Sequence, residues 1–341
     1  MQHLFVLPCL TLLAASPASP LSTAEEVLLR ARPEAGVVLT RTYTSTAKLR
    51  GSDLTVEMDG EPVPAQFLPQ LAIELAASER VEVLDTVVDA ATTTRRFVDL
   101  GGQVTVEVDM GGYMGAEDER YEDAAVSPLA GRTVRFREAA GEEYSAEFVE
   151  PEGATAGPDD PKLLAGLERS LDLAGLLPRA AVAEGATWTA PASALAGLFA
   201  PGGDLAWRWT DPESQRRADS EEFTGEVELA LTALAEVDGR QVARVRLAGQ
   251  PGRTQVRATD LRDVPVTKGT ATETRTATLA VTGELTFDVA GGHLVSADVA
   301  AELSEVHHTV KDPGQEGPAY ESTLTFAGRH TFEVRVRRTE R

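Results

Sequence analysis

The chain has 341 residues, 42% hydrophobic and 25% charged, which is long and apolar enough to bury a globular core. Its 54 acidic residues outnumber 32 basic ones, and the formal net charge of −22 excludes nucleic acid as a partner, because binding it needs a basic surface. No segment reaches the roughly 20 apolar residues of a membrane-spanning helix, so no transmembrane segment is predicted.

An apolar run, LFVLPCLTLLAA, opens the chain and is typical of a signal peptide. Small residues at Ser16-Pro17-Ala18 and Ser22-Thr23-Ala24 offer two cleavage sites. Residues 1–24 therefore predict a secreted or periplasmic protein. The run lacks a preceding lysine or arginine, which leaves a buried N-terminal strand or helix as the alternative. Cleavage would remove Cys9, the single cysteine, and with it any disulfide or thiolate chemistry.

Residues 25–150 predict an N-terminal β half, because apolar residues alternate along several runs. Turns are predicted at two dipeptides: Asp59-Gly60 and Gly101-Gly102. The glycine-rich, acidic stretch 110–123 predicts an exposed loop whose carboxylates are solvated, with a calcium site as the alternative. A hairpin with a three-residue loop at 139–141 should place Phe136 opposite Tyr144.

Residues 151–203 form a central segment with a predicted amphipathic helix. Asp160 is a good N-cap, Pro161 suits the first turn, and Gly175 suits the C-terminal stop. Its apolar stripe has helical spacing and contains these residues: Leu163, Leu164, Leu167, Leu171 and Ala174. Such a helix would cover a curved sheet.

Residues 204–341 predict a C-terminal antiparallel β half. A loop at 237–239 should pair Leu231 with Val245. Further on, apolar residues hold odd positions from Leu279 to Leu303 and even positions from Tyr320 to Val336. Three strands then share one apolar face, with Leu279 opposite Leu303 and Leu303 opposite Phe326.

Strands of this length exceed the usual five or six residues, and twist makes such sheets coil. Gly283 and Gly328 are natural places for a bend or bulge. The predicted fold is therefore mainly β, with long curved antiparallel sheets that form a half-barrel or open barrel, and with one central amphipathic helix.

The shared apolar face would line the concave side of that sheet. Its residues, together with one tryptophan of the central segment, are the candidate ligand-facing positions: Leu279, Val281, Leu285, Phe287, Val299, Leu303, Phe326, Phe332 and Trp188. An apolar or amphipathic small molecule would fit there. The alternative is that side chains fill the concavity, and that Trp188, Trp207 and Trp209 serve core packing.

Short motifs in the first two segments resemble a known family. They include Leu177-Pro178, Val182, Gly185 and Trp188, with similar pieces at 58–61, 80–85 and 95–97. Together they resemble an uncharacterised family of exported, β-rich bacterial proteins over residues 37–210. The resemblance implies export and a β-rich fold. It implies no catalytic residue, because that family has no assigned activity.

The sequence predicts no catalytic residue, cofactor or metal site. Ser45 and Lys48 match the S-x-x-K motif, but they lie in a β-forming stretch, whereas the chemistry needs them one helical turn apart. The predicted strand register separates His293, His307 and His330, and leaves His308 opposite Glu321 as a surface pair. We therefore expect an exported non-catalytic protein with a structural or protein-interaction role, whose partner would be an envelope protein. A carrier of an apolar ligand is the first alternative and an uncharacterised hydrolase the second.

Overall fold

The computed structural model describes residues 25–111, 118–138, 144–149, 161–210, 220–260, 269–312 and 317–340. Most of these residues lie in antiparallel strands. The N-terminal strands are β1 (Glu26–Val27), β2 (Val37–Met58), β3 (Glu61–Pro62), β4 (Ala72–Val87), β5 (Thr92–Asp109), β6 (Glu119–Val126), β7 (Thr133–Glu138) and β8 (Tyr144–Phe148). The predicted mainly β fold is confirmed.

Within the described ranges, the central and C-terminal parts add ten strands and one short helix. The central strands are β9 (Val182–Ala183), β10 (Thr187–Pro191) and β11 (Arg208–Trp209), and the helix is α1 (Ala196–Phe199). The C-terminal strands are β12 (Ser220–Thr224), β13 (Glu226–Val237), β14 (Arg240–Gly249), β15 (Gly252–Asp260), β16 (Thr270–Asp288), β17 (His293–Lys311) and β18 (Tyr320–Glu340).

One 16-stranded sheet contains strands from both β halves. Its main path runs in the order β10-β13-β14-β16-β17-β18-β2-β4-β5-β6-β11, and β1 pairs separately with β9. Within the described ranges the path is open, since β10 and β11 do not pair with each other. The core contains side chains from both halves and from the central segment, such as Phe97, Leu171 and Leu285. The sheet therefore packs around the central segment.

The predicted central helix at 161–174 is wrong. A 3₁₀ turn covers Pro161–Leu164, Gly166 then takes a φ of +79°, and Leu167 forms a β-bridge with Gly203. The main-chain groups of this stretch bond to other parts of the molecule, and those bonds replace helical ones. The leucines of the predicted stripe still pack into or against the core, and Leu167 and Leu171 are buried. The spacing of the leucines therefore predicted correctly that these side chains pack into or against the core, but it predicted the wrong backbone conformation.

Two predicted registers hold at their centre. Leu279 lies opposite Leu303, and a bulge between Thr286 and Phe287 shifts the pairing beyond it. Leu231 lies opposite Val245, although the turn has two residues and not three. Asp238 and Gly239 form it with φ values of 52° and 74°, as a type I′ hairpin turn requires.

Two other predicted registers are wrong by two residues. Leu303 lies opposite Gly328 and not Phe326, and Phe136 lies opposite Ala146 and not Tyr144. A slip of two residues keeps every side chain on its predicted face, so the alternation of apolar residues cannot detect it.

Two predicted loop features also need correction. Gly101 and Gly102 lie inside β5 and make no turn, and β6 occupies part of the predicted loop 110–123. Residues 112–117, which hold the rest of that loop, and the predicted loop 139–141 lie outside the described residues. The turn at Asp59-Gly60 is confirmed by positive φ at both residues between β2 and β3.

Candidate functional site

The predicted ligand-facing side chains lie in or against the core. Eight of them are at most 8% exposed: Leu279, Val281, Leu285, Phe287, Val299, Leu303, Phe326 and Phe332. Trp188 in β10 is partly buried, and its indole Nε1 donates to the Leu176 carbonyl at 2.8 Å. Most of the face that the sequence analysis assigns to a ligand is thus in contact with the protein itself.

Helix α1 supplies part of this filling. The Phe199 ring stands edge-on to Phe332 at 4.7 Å and to His330 at 5.5 Å between centroids. Leu195 and Leu198 beside it are buried. The central segment therefore covers the side of the sheet that carries His330 and Phe332, here called the inner face, as far as the level of Phe199.

Beyond that level the same inner face keeps an apolar surface that is partly exposed. We call it the inner patch, and it consists of Ala47 and Leu49 of β2, Ile73, Leu75 and Ala77 of β4, and Val104, Val106 and Val108 of β5. Leu49, Leu75 and Val106 lie directly opposite one another across the three strands. Glu79 borders the patch beside Ser45, and burial raises the pKa of its carboxyl.

Phe326 separates the inner patch from a group of ionisable side chains. Its ring lies over Gly51, where an added Cβ would come within 2.7 Å of it, and stacks on His307 at 4.5 Å. His307 Nε2 lies 2.5 Å from Glu305 Oε1, and its Nδ1 lies 3.3 Å from Glu273 Oε1. The same inner face is therefore apolar on β2, β4 and β5, and charged on β16 and β17.

The two glutamates are held ionised by their neighbours. Burial alone would raise the pKa of Glu305, but its hydrogen bond and charge interaction with His307 lower it below the usual value. Burial would also raise the pKa of Glu273, and Arg275 and Arg257 lower it.

A second polar site lies where the central segment meets the N-terminal strands. Four charged side chains, here called the ion-pair quartet, are at most 3% exposed: Arg41, Asp85, Arg95 and Asp172. Arg41 donates from Nη1 and Nη2 to the two carboxylate oxygens of Asp172 at 2.6 and 2.9 Å. Arg95 likewise makes a bidentate pair with Asp85, donating from Nε and Nη2 at 2.7 and 3.1 Å. Two arginines against two carboxylates leave the quartet with no net charge.

The quartet fixes the main chain of the central segment. Arg95 donates to the carbonyls of Glu168 and Arg169 at 2.7 and 2.8 Å, and the Tyr43 hydroxyl donates to that of Leu171 at 2.8 Å. Asp172 in turn accepts from the Leu294 N–H at the start of β17, at 2.9 Å. These bonds explain why the stretch is not helical, because its carbonyls serve buried donors of the sheet.

Burial and neighbouring charges shift the pKa of Arg41 in opposite directions. Burial alone would lower the pKa of Arg41, but attraction to Asp172 and other nearby groups raises it, so the guanidinium stays charged. Burial raises the pKa of Tyr43, which therefore stays neutral as a hydrogen-bond donor. Removing one partner of such a buried ion pair leaves the other charge unpaired and strongly destabilises the fold.

Neither polar group was predicted, although the sequence contains a signal for both. Arg41 follows Val37 and Leu39 at inward positions of β2, and Asp85 follows Val81 and Val83 in β4. Glu273, Glu305 and His307 likewise occupy positions in phase with apolar residues of their strands. A charged residue in phase with an apolar alternation indicates either a buried ion pair or the end of the core.

The residues tested for chemistry do not converge. Ser45 and Lys48 are three positions apart in β2, so their side chains lie on opposite faces of the sheet. His308 Nε2 lies 2.7 Å from Glu321 Oε1, as the predicted surface pair requires, although its strand partner is Thr323. Among the described residues, no three His, Cys, Asp or Glu side chains are arranged to hold a metal ion.

No helix within the described ranges is both long and apolar enough to span a membrane. A scan against protein-family models finds no family that matches this chain, and a search of curated proteins finds no similar sequence.

Proposed function

We propose that the protein is an exported, non-catalytic binding protein that holds the apolar part of a small amphipathic ligand on the inner patch. One observation carries the proposal: eight apolar side chains on the inner face of β2, β4 and β5 stay partly exposed, although neighbouring positions of the same face are buried. Concave apolar surfaces with a few polar groups nearby are the usual sites for small ligands.

The size of the inner patch favours a small ligand over a protein partner. Its three strands and three rows of side chains cover roughly 10 by 13 Å at ordinary strand spacings. Each partner in a specific protein complex buries about 800 Å², several times this area. A single alkyl chain matches the patch better.

The surroundings of the patch favour an amphipathic ligand. Phe326 contacts the patch strand β2 at Gly51 on one side and His307 on the other. A ligand whose chain lies on the row of Ile73 and Val108, which Gly51 continues toward Phe326, would have its polar end nearest His307 and its charged neighbours.

A second candidate function, a structural or protein-interaction role, is favoured by the buried part of the inner face. The buried positions from Leu279 to Phe332 leave that part of the face to core packing. Under this candidate the inner patch would bind no small ligand, so the two functions differ in one measurable property.

Titration of the full mature chain with a fluorescent long-chain fatty acid tests the proposal. We expect saturable binding that Leu75→Asn and Val106→Asn each weaken roughly tenfold, because each loses the burial of one apolar side chain. Val306→Asn is the matched control, since Val306 is 38% exposed on the outer face of β17. Absence of binding to the unaltered protein, or equal weakening by the control, would favour the structural role.

Export is tested separately, by N-terminal sequencing of the protein from its native cells. The apolar run before residue 25 supports cleavage at about residues 18–24. A mature N-terminus in that range in the envelope or medium is the expected result. An intact Met1 on a cytoplasmic protein would contradict it.

A further inference from the structure

A cleft beside the ion-pair quartet is separate from the inner patch. It has a volume of about 370 Å³, and Arg41, Asp85 and Asp172 contribute to its lining. Arg32, Asp89 and Arg169 also line it, and Arg32 and Asp89 are exposed. A volume of this order is enough for a small organic molecule.

Arg41 is the group in this cleft whose hydrogen bonds are incomplete. Its guanidinium carries five N–H donors, and its hydrogen bonds to Asp172 use one each from Nη1 and Nη2. Nε lies 3.2 Å from Asp85 Oδ2, close enough for an ion pair, but it makes no hydrogen bond. Donors of a side chain that is only 2% exposed are costly to leave unpaired.

Each carboxylate of the lining already has hydrogen-bond or ion-pair partners, and Asp89 accepts from the Ala91 N–H at 2.8 Å. Asp172 accepts from Arg41 and from the Leu294 N–H, and Asp85 accepts twice from Arg95. At the mouth, Arg169 is paired with Glu138, whereas the structure gives the Arg32 side chain no ion pair among the described residues. A hydrogen-bond acceptor that enters the cleft would meet the buried guanidinium of Arg41, which has unpaired N–H donors, and the exposed guanidinium of Arg32.

We propose that this cleft binds a small organic carboxylate, with the carboxylate oxygens taking the remaining N–H donors of Arg41 and with Arg32 attracting the anion at the mouth. Hydrogen bonds from a guanidinium to a carboxylate are stronger than those to a neutral acceptor. The overall charge of −22 makes non-specific uptake of anions unfavourable, so binding depends on these local donors.

Calorimetric titration of the full mature chain with succinate and with succinamide, its neutral counterpart, tests the proposal. We expect succinate to bind at least tenfold more tightly than succinamide, because hydrogen bonds to a charged acceptor are the stronger ones. Arg32→Gln should weaken succinate binding roughly tenfold. Arg179→Gln, an exposed arginine outside the cleft lining, is the matched control and should leave it unchanged.

Arg41→Lys complements this test, because it keeps the charge but not the planar fork. Circular dichroism would first establish that the variant is folded. A folded Arg41→Lys protein should lose the preference for succinate over succinamide. The proposal is overturned if the unaltered protein binds neither compound, if it binds both equally, or if Arg32→Gln and Arg179→Gln bind succinate alike.

Discussion

His330 is an uncharged histidine held among aromatic rings on the inner face of β18. Its ring lies 4.0 Å from that of Phe332 and stands edge-on to Phe199. Burial, with a smaller contribution from the nearby Arg253, lowers its pKa to about 4. The ordinary value is 6.5, so unfolding makes this side chain a much stronger base.

This difference predicts acid sensitivity. Between pH 6.5 and 4, His330 is protonated in the unfolded chain but not in the folded chain. The free energy of unfolding therefore falls as pH falls. The expected loss is at most about 3 kcal/mol at pH 4. Urea unfolding of the unaltered protein and of His330→Gln at pH 7 and pH 4 measures it, and the variant should lose less.

His308→Gln is the control for that measurement, because His308 is exposed and paired with Glu321 on the surface. It should keep the acid sensitivity of the unaltered protein. Equal losses in the His330 variant and the unaltered protein would show that His330 is not responsible.

At the scale of elements, the central segment depends on the ion-pair quartet for its position. Removing one member leaves a buried charge without its partner, which costs about 3–5 kcal/mol, whereas an exposed ion pair contributes less than about 1 kcal/mol. Asp172→Asn should therefore lower the free energy of unfolding by several kcal/mol. Urea unfolding followed by tryptophan fluorescence gives that quantity.

Asp298→Asn provides the comparison. Asp298 is 61% exposed and lies 2.7 Å from Arg335, a geometry as close as that of the buried pairs. Its loss should change the free energy of unfolding by less than about 1 kcal/mol. Similar values for the two variants would mean that the quartet does not anchor the central segment.

Alternating patterns predicted which strand positions face inward better than they predicted strand partners. Leu279, Leu303 and Phe332 are buried on one face, as their spacing indicates, yet the β17–β18 pairing differs by two residues from the predicted one. Bulges between Leu231 and Ala233, and between Thr286 and Phe287, change pairing without any signal in the hydrophobic pattern. The face on which each side chain lies was therefore accessible from the sequence, whereas the strand register was accessible only in part.

Gly283 and Gly328 illustrate a related limit. Their sequence context predicts a bend or bulge, and no register shift, which a bulge would produce, occurs at either. At Gly328 an added Cβ would lie 2.0 Å from the Lys48 carbonyl oxygen of the neighbouring strand. This glycine permits close approach between β18 and β2, a contact that no local pattern could foretell.

At the scale of the whole molecule, the sequence predicted the fold class but not how the halves combine. Strands of both halves lie in one sheet, and β2 pairs with β18 along nearly the whole length of each. Nothing local in either strand indicates its distant partner. The quartet was missed for the same reason, since Asp172 lies 131 positions after Arg41 in the sequence.

The β2–β18 pairing also constrains the order in which the molecule can be completed. β18 (Tyr320–Glu340) lies between β2 and β17 in the sheet. Until β18 is in place, β2 and β17 each have one edge whose backbone groups are unpaired. Unpaired edges invite pairing with a second copy, and contacts so distant along the chain form slowly. A chain shortened by those final residues would become two half-sheets that can recruit each other between molecules, so the C-terminal strand also protects against aggregation.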